Sequence, residues 1–172
     1  VRFRNMAEVS SDMMARMDAK GVIRFVSPSA KRMIGYEPSD LVGHTTISFT
    51  HPDDVPGVMS FFAELVAQGP GATPVAYQFR ARHKNGSWIW LEGIPKVLFD
   101  VNGRPEGIQD SVRDITGRKV LEADLDAALA RTRSSERRLQ MALEIADIVV
   151  FQRNKATGEL TVAGPEVRVF DQ

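Results

Sequence analysis

The 172-residue chain contains no cysteine. That removes disulfides, thiolate metal ligands and thiol nucleophiles together, and nothing in the chain needs an oxidising compartment. Net charge is missing too, because 22 Lys and Arg offset 22 Asp and Glu. No overall field exists to gather a phosphate backbone or an anionic membrane, so nucleic acid is not an expected partner. Long apolar runs are also absent. No stretch approaches the roughly 20 residues of a membrane span, and the opening VRFRNMAEVS lacks the apolar core of a signal peptide. A cytoplasmic location without membrane insertion is expected. No nucleophile stands beside a base, no metal-ligand spacing occurs and no glycine loop cradles a phosphate, so these residues are expected to catalyse nothing and to hold no metal.

What the chain does have is enough apolar material for a core. Hydrophobic residues make up 43% and charged residues 26%, a balance that argues against disorder and for one good-sized domain with a further element attached. Phe3 to Val9 reads as a short amphipathic helix. Met13 to Met17 and Val22 to Val26 read as strands joined by the turn Asp18-Ala19-Lys20-Gly21, with Ile23 and Phe25 facing inward. Ser27 is placed to cap a short helix with Pro28 at its first position, and Gly35 ends it. Pro38 to Val42 forms another helical turn. His51-Pro52-Asp53-Asp54 opens a longer helix in which Val55, Val58, Met59, Phe62, Leu65 and Val66 recur at three- and four-residue steps.

Three strands follow: Val75 to His83, Ser87 to Phe99 and Pro105 to Ile115. Their turns, Lys84-Asn85-Gly86 and Val101-Asn102-Gly103, each carry the Asn-Gly pair that accepts positive φ. Two strands, several short helices and three antiparallel strands make one five-stranded antiparallel sheet with helices on one face, an α+β fold. From Thr116 the sequence changes to a single long helix without further glycine after Gly117. Leu121, Leu125, Ala128, Thr132, Ser135, Leu139, Ala142 and Ala146 form a narrow seam, firm at its ends and polar in the middle, which suggests pairing with a second copy. After Asp147 come a strand, the turn Ala156-Thr157-Gly158-Glu159 and another strand. The expected organisation is 1–115, a domain; 116–146, a coiled-coil linker; and 147–172, the start of a second domain.

Four stretches, in order, resemble the PAS superfamily with its C-terminal PAC segment: DAKGVIRFVSPSAKRMIGYEPSDLVG at 18–43, HPDD at 51–54, HKNGSWIWLEG at 83–93 and RDITGRK at 113–119. RRLQMALEIADIVVFQRNKATGEL, from Arg137, resembles the start of another PAS domain. The resemblance implies a PAS fold and a regulatory sensor that detects a small ligand or partner and passes the signal along the linker to an effector. A histidine kinase is the first expectation for that effector and a diguanylate cyclase the second. A scaffold that only dimerises is the rival from another class.

Alternation directs Tyr77, Phe79 and Ala81, then Ile89, Leu91 and Gly93, then Ile108, Asp110 and Val112 inward. With Phe25, Met33, Phe49, Met59 and Phe62 they would enclose the space in which PAS domains hold ligands, or simply fill the core. Asp110 stands out, because a carboxylate at an inward position must find a donor or titrate upward; a polar ligand or a buried water is its expected contact. The other face carries Gln78, Arg80, Arg82, Trp88, Trp90, Glu92, Ser111 and Arg113, with Trp90 opposite Arg80 and Glu92 near Ser111 or Arg113. Two tryptophans there need a cover, expected from the N-terminal helix or a dimer partner. The expected dimer interface therefore comprises Trp88, Trp90, Leu121, Leu125, Ala128 and Leu139. Glu92, Arg113, Asp114, Ile115 and Thr116 are expected to transmit the signal, with Thr116 capping the long helix and Asp114 pairing with a nearby base. No histidine lies on the 54–67 helix, where haem-binding relatives place their iron ligand, and the adduct-forming cysteine of flavin relatives is absent. Haem and flavin are accordingly not expected.

Overall fold

The structure, a computed structural model, describes residues 12–146, 150–154, 156–158 and 160–163. The expected helix at Phe3 to Val9 lies outside the described residues. The chain forms two compact units, Val1–Lys119 and Val120–Gln172. Among the described residues no helix is long and apolar enough to cross a membrane.

Strands β1 (Met13–Asp18) and β2 (Ile23–Val26) form the expected hairpin, closed by Gly21 at φ 76°. Two short helices follow, α1 (Ser29–Ile34) and α2 (Pro38–Leu41). A 3-10 turn at Thr46–Phe49 and another at Pro52–Asp54 lead into α3 (Val55–Ala67). Strands β3 (Tyr77–Arg82), β4 (Trp88–Phe99) and β5 (Pro105–Asp114) complete the first unit's sheet. Helix α4 (Thr116–Ala146) runs unbroken for 31 residues. β6 (Val150–Arg153) and β7 (Leu160–Ala163) then pair as a separate antiparallel hairpin.

The five-stranded sheet has the order β2-β1-β5-β4-β3 with all pairs antiparallel. Its long central contacts are between strands separated by tight turns, whereas β1 reaches β5 from the far end of the domain. Both free edges would expose unpaired backbone groups, and one connecting segment covers them both. His44 accepts from the Ile23 amide at 2.9 Å and the Gly43 amide donates to Ile23 at 2.9 Å, which closes the β2 edge. The His51 amide donates to the Arg80 carbonyl at 2.8 Å, and the Asp54 carboxylate takes the Arg80 amide at 2.8 Å, which closes the β3 edge. The segment from Gly43 to Asp54 thereby bridges the mouth of the curved sheet and places Phe49 against the core.

Two sequence expectations change here. Phe25 does not face inward, because β1 and β2 slip register between Arg16 and Met17. Ala15 pairs with Val26 and Arg16 with Phe25, so Phe25 shares the side of an exposed arginine while Ile23 and Val26 turn to the core. Ser27 does not cap α1. Its hydroxyl accepts the Met14 amide at 2.9 Å and lies 2.6 Å from that of Ser29, so both serines fasten the helix start to β1.

Candidate functional site

The inner face of the sheet and the covering helices enclose a cavity of about 70 Å³. β3 contributes Tyr77, Phe79 and Ala81, and the central strands contribute Leu91, Asp110 and Val112, as alternation predicts. Phe49 and Phe62 close it from the helical side. Besides Phe25, four expected residues stand elsewhere. Ile89, Ile108 and Met33 are half-buried and pack around the core cluster without reaching the cavity. Met59 is 55% exposed, because α3 turns Val58 and Leu65 inward and leaves the next position to solvent. Sequence reading missed the β1 face, Met13, Ala15 and Met17, and also Val26, Leu41 and Val58. The i, i+2 spacing of the three β1 residues was the available signal, hidden by Met14 between them.

Asp110 is the exceptional member of this lining, at 2% exposure. The Tyr77 hydroxyl donates to Oδ2 at 2.6 Å. Oδ1 is buried and has no hydrogen-bond partner among the described residues. Burial pushes the carboxyl up to about 7, against the opposing pull of the Tyr77 hydroxyl and, more weakly, of the Ile94 and Ser111 amides. Tyr77 is itself driven well above its ordinary range, first by burial and then by the neighbouring Asp110 charge. Its ring stacks on Phe79 at 5.1 Å and on Phe61 at 4.8 Å. Gly93 makes this pair possible: it lies opposite both Tyr77 and Val112, and a Cβ there would collide with the Tyr77 ring and come within 2.9 Å of Asp110 Oδ2.

The start of α4 is fastened to β4 beside this cavity. The Ile115 amide donates to the Trp90 carbonyl at 2.9 Å, and the Thr116 hydroxyl accepts the Trp90 amide at 3.0 Å. Asp114 Oδ1 takes the Thr116 amide at 2.8 Å. Asp114, expected to pair with a base, thus caps the helix, and Thr116, expected as the cap, ties it to the sheet because its hydroxyl faces β4. Ile115 is buried at the same junction. Glu92 lies opposite Arg113, as the register predicts, and accepts from Gln78 at 2.9 Å and Arg118 at 2.8 Å. The Arg118 and then the Gln78 hydrogen bonds hold its carboxyl below the usual range. Arg113 bonds Asp12 at 3.0 Å.

On the outer face Arg80 pairs with Trp90 in register, and its guanidinium stands 5.6 Å from the ring. Lys119, on the first turn of α4, lies 5.1 Å from the same ring. Among the described residues these two cations face Trp90, and cations favour the face of an indole; the N-terminal helix expected to cover it lies outside the described residues. Trp88 packs edge-on against His51 at 4.5 Å and stays 42% exposed. Arg80 is held in turn by Asp54, through Nη2 to Oδ1 at 2.6 Å and Nε to Oδ2 at 2.9 Å. The Arg80 hydrogen bond is the main reason the Asp54 carboxyl falls below its ordinary value. A chain of contacts therefore runs from Asp54, at the entry to α3, through Arg80 and Trp90 to Lys119. In α4 Leu121, Leu125, Leu129 and Leu139 are all exposed within the single chain, and Ala128 is exposed with them.

Comparison with known proteins agrees with this architecture. The chain is 32% identical over 99 residues to the White collar 1 protein of Neurospora crassa, covering 58% of this chain and 8% of that protein. It is 29% identical over 174 residues to the C4-dicarboxylate transport sensor protein DctS of Rhodobacter capsulatus, covering 98% of this chain and 26% of that one. The chain thus spans about a quarter or less of these relatives' length. A sensory box histidine kinase/response regulator from Burkholderia thailandensis superposes with a TM-score of 0.62 at 24% identity, over 78% of this chain and 99% of that structure. The N-terminal domain of a diguanylate cyclase with PAS/PAC sensor from Marinobacter aquaeolei gives 0.53 at 17% identity, over 63% of this chain and 98% of that one. Both likenesses speak for the fold. The PAS_3 family, described as PAS fold, matches residues 23–112, and with the five-stranded sheet, the short helices and the long following helix this places the chain in the PAS fold family.

Proposed function

We propose that this PAS domain is the sensory input of a longer signalling protein, in which a change at the cavity is passed through α4 to a downstream effector. The observation that carries the reading is the double use of β4. Leu91 lines the cavity, while the neighbouring Trp90 holds both the Ile115 amide and the Thr116 hydroxyl at the helix start. A small shift of that strand on one face is a shift of the helix anchor on the other. Coupling of about 1–3 kcal/mol is typical between such sites, comparable to the few hydrogen bonds at this junction.

The effector in this reading is a histidine kinase, supported by the likeness to the Burkholderia sensory box histidine kinase/response regulator; a diguanylate cyclase is the alternative that the Marinobacter structure supports. The C-terminal part of the domain is a PAC segment in this reading, and the residues after the helix begin a second PAS domain. The assembly is a cytoplasmic homodimer joined along Leu121, Leu125, Ala128 and Leu139, whose exposed apolar side chains favour a partner helix. Haem and flavin are not part of this function: ligand pockets of cofactor size run to about 300–1,000 Å³, several times this cavity.

Because the chain lacks cysteine, Ala130→Cys, on the exposed helix but outside that seam, gives a single site for a spin label. Enlarging the cavity with Leu91→Ala is expected to change the distance between labels in the dimer, and adding Thr116→Val is expected to abolish that change. A folded Leu91→Ala protein with unaltered label distances would leave only a dimerising scaffold. Absence of any label–label distance would remove the dimer.

A further inference from the structure

The cavity is apolar around nearly its whole wall, with Met13, Val26, Leu41 and Phe62 among its lining, yet Asp110 stands in that wall with one oxygen unmatched. An unsatisfied buried carboxylate oxygen is costly, and native structures rarely leave one without a partner. Oδ2 already has the Tyr77 hydroxyl. The requirement left over is one donor, delivered to Oδ1 from a group whose remaining surface is apolar.

Three properties narrow the occupant. Size is the first: a cavity of about 150 Å³ accommodates benzene, so about 70 Å³ suits roughly three or four non-hydrogen atoms. Charge is the second. A carboxylate ligand would place a second negative charge beside Asp110 in a region of low dielectric, where like charges repel strongly. Donor number is the third. An ammonium carries three donors and would leave two unmet beside one acceptor, whereas a hydroxyl carries one. Thr50, which also lines the cavity, already spends its hydroxyl on the Thr46 carbonyl at 3.1 Å.

We propose that this cavity is a binding site for a small neutral aliphatic alcohol, whose hydroxyl donates to Asp110 Oδ1 and whose hydrocarbon tail lies among the apolar side chains. This rests on the sensory reading above and names the ligand class for it. It also separates this domain from sensing of C4-dicarboxylates, the compounds for which the relative DctS is named. Tyr77 takes the part of a positioning residue: by holding Oδ2 it fixes the carboxylate so that Oδ1 alone is free. Gly93 allows that arrangement by leaving room for both side chains.

The test is an amide-resolved NMR titration of the intact chain with 1-propanol, dissolved xenon and sodium propionate at about pH 8.5, above the value of about 7 to which burial raises the Asp110 carboxyl, so that the acceptor is ionised. 1-Propanol is expected to shift the amides of Gly93, Ile94 and Val112 saturably and to bind at least about tenfold more tightly than xenon, the worth of one hydrogen bond to a charged acceptor. Propionate is expected to leave those amides unmoved. In Asp110→Leu the preference for 1-propanol over xenon should vanish. Tyr77→Phe, which keeps the ring, provides a second check should the leucine variant not fold: it frees Oδ2 and should retain or strengthen 1-propanol binding. Equal binding of 1-propanol and xenon in the native protein, binding of propionate at these amides, or no response to 1-propanol because water alone satisfies Oδ1 would each overturn the proposal. The spin label at residue 130 keeps the two readings apart. Saturation by 1-propanol without a label response supports the ligand class and refutes the sensory role, whereas a label response to Leu91→Ala without 1-propanol binding does the reverse.

Discussion

Replacing Asp110 by Asn tests the electrostatics of the cavity directly. The carboxyl titrates at about 7 in the folded protein against an ordinary value of 3.8. Between those values the folded state keeps a proton that the unfolded chain has released, so folding stability falls as pH rises through this window. The stability is fully present below about pH 4 and the loss is complete above about pH 7. A shift of about three units, at 1.36 kcal/mol each, corresponds to roughly 4 kcal/mol. Asn fills nearly the same volume and does not titrate. Urea unfolding of both proteins from about pH 4.5 to about pH 8.5 should therefore show the difference between them moving by most of that amount, with native Asp110 losing ground as pH rises. With an m-value of about 2 kcal/mol/M, the midpoint difference moves by about 2 M. Groups common to the two proteins cancel in the comparison. Parallel pH profiles would refute the reasoning, since they would mean that the carboxylate is paid no penalty by its surroundings.

Gly93→Ala should cost about 1–3 kcal/mol by forcing a methyl into the Tyr77 ring, a loss read as a lower thermal midpoint; an unchanged midpoint would show that Tyr77 can move aside freely. Asp54→Ala should lower the melting temperature by a few degrees, because the Arg80 amide and guanidinium lose their acceptor together. The Asp54 carboxyl is held below its ordinary value, so this contribution is present above about pH 4 and lost as pH falls further. The native protein should therefore approach the variant in acid, and a constant gap down to low pH would argue against the ion pair.

Much of the outer architecture was legible in order and spacing. The Asn-Gly turns set the hairpins, and with them the pairing Arg80–Trp90; for Glu92 they left Ser111 or Arg113, and the structure pairs it with Arg113. Period two identified Tyr77, Phe79, Leu91, Asp110 and Val112 as inward, and three- and four-residue steps with no proline and no glycine after Gly117 marked helix α4. Phe25 and Met59 were misread for local reasons. A one-residue slip between β1 and β2 exchanges the faces of every later position in that strand. The apolar stripe of α3 is wider than the surface it buries, so its margin at Met59 is left in solvent.

Sequence alone determined the PAS-type order of elements, the unbroken helix and the presence of a carboxylate on an apolar face, because turns, periodicity and residue type act over a few positions. Tertiary structure alone decided that Tyr77 meets Asp110 across Gly93, that one connecting segment closes both sheet edges, and that Lys119 covers Trp90. Those contacts join residues 16 to 33 or more positions apart in the chain, and which of them form depends on the curvature and packing of the whole sheet, a long-range property that no local pattern encodes.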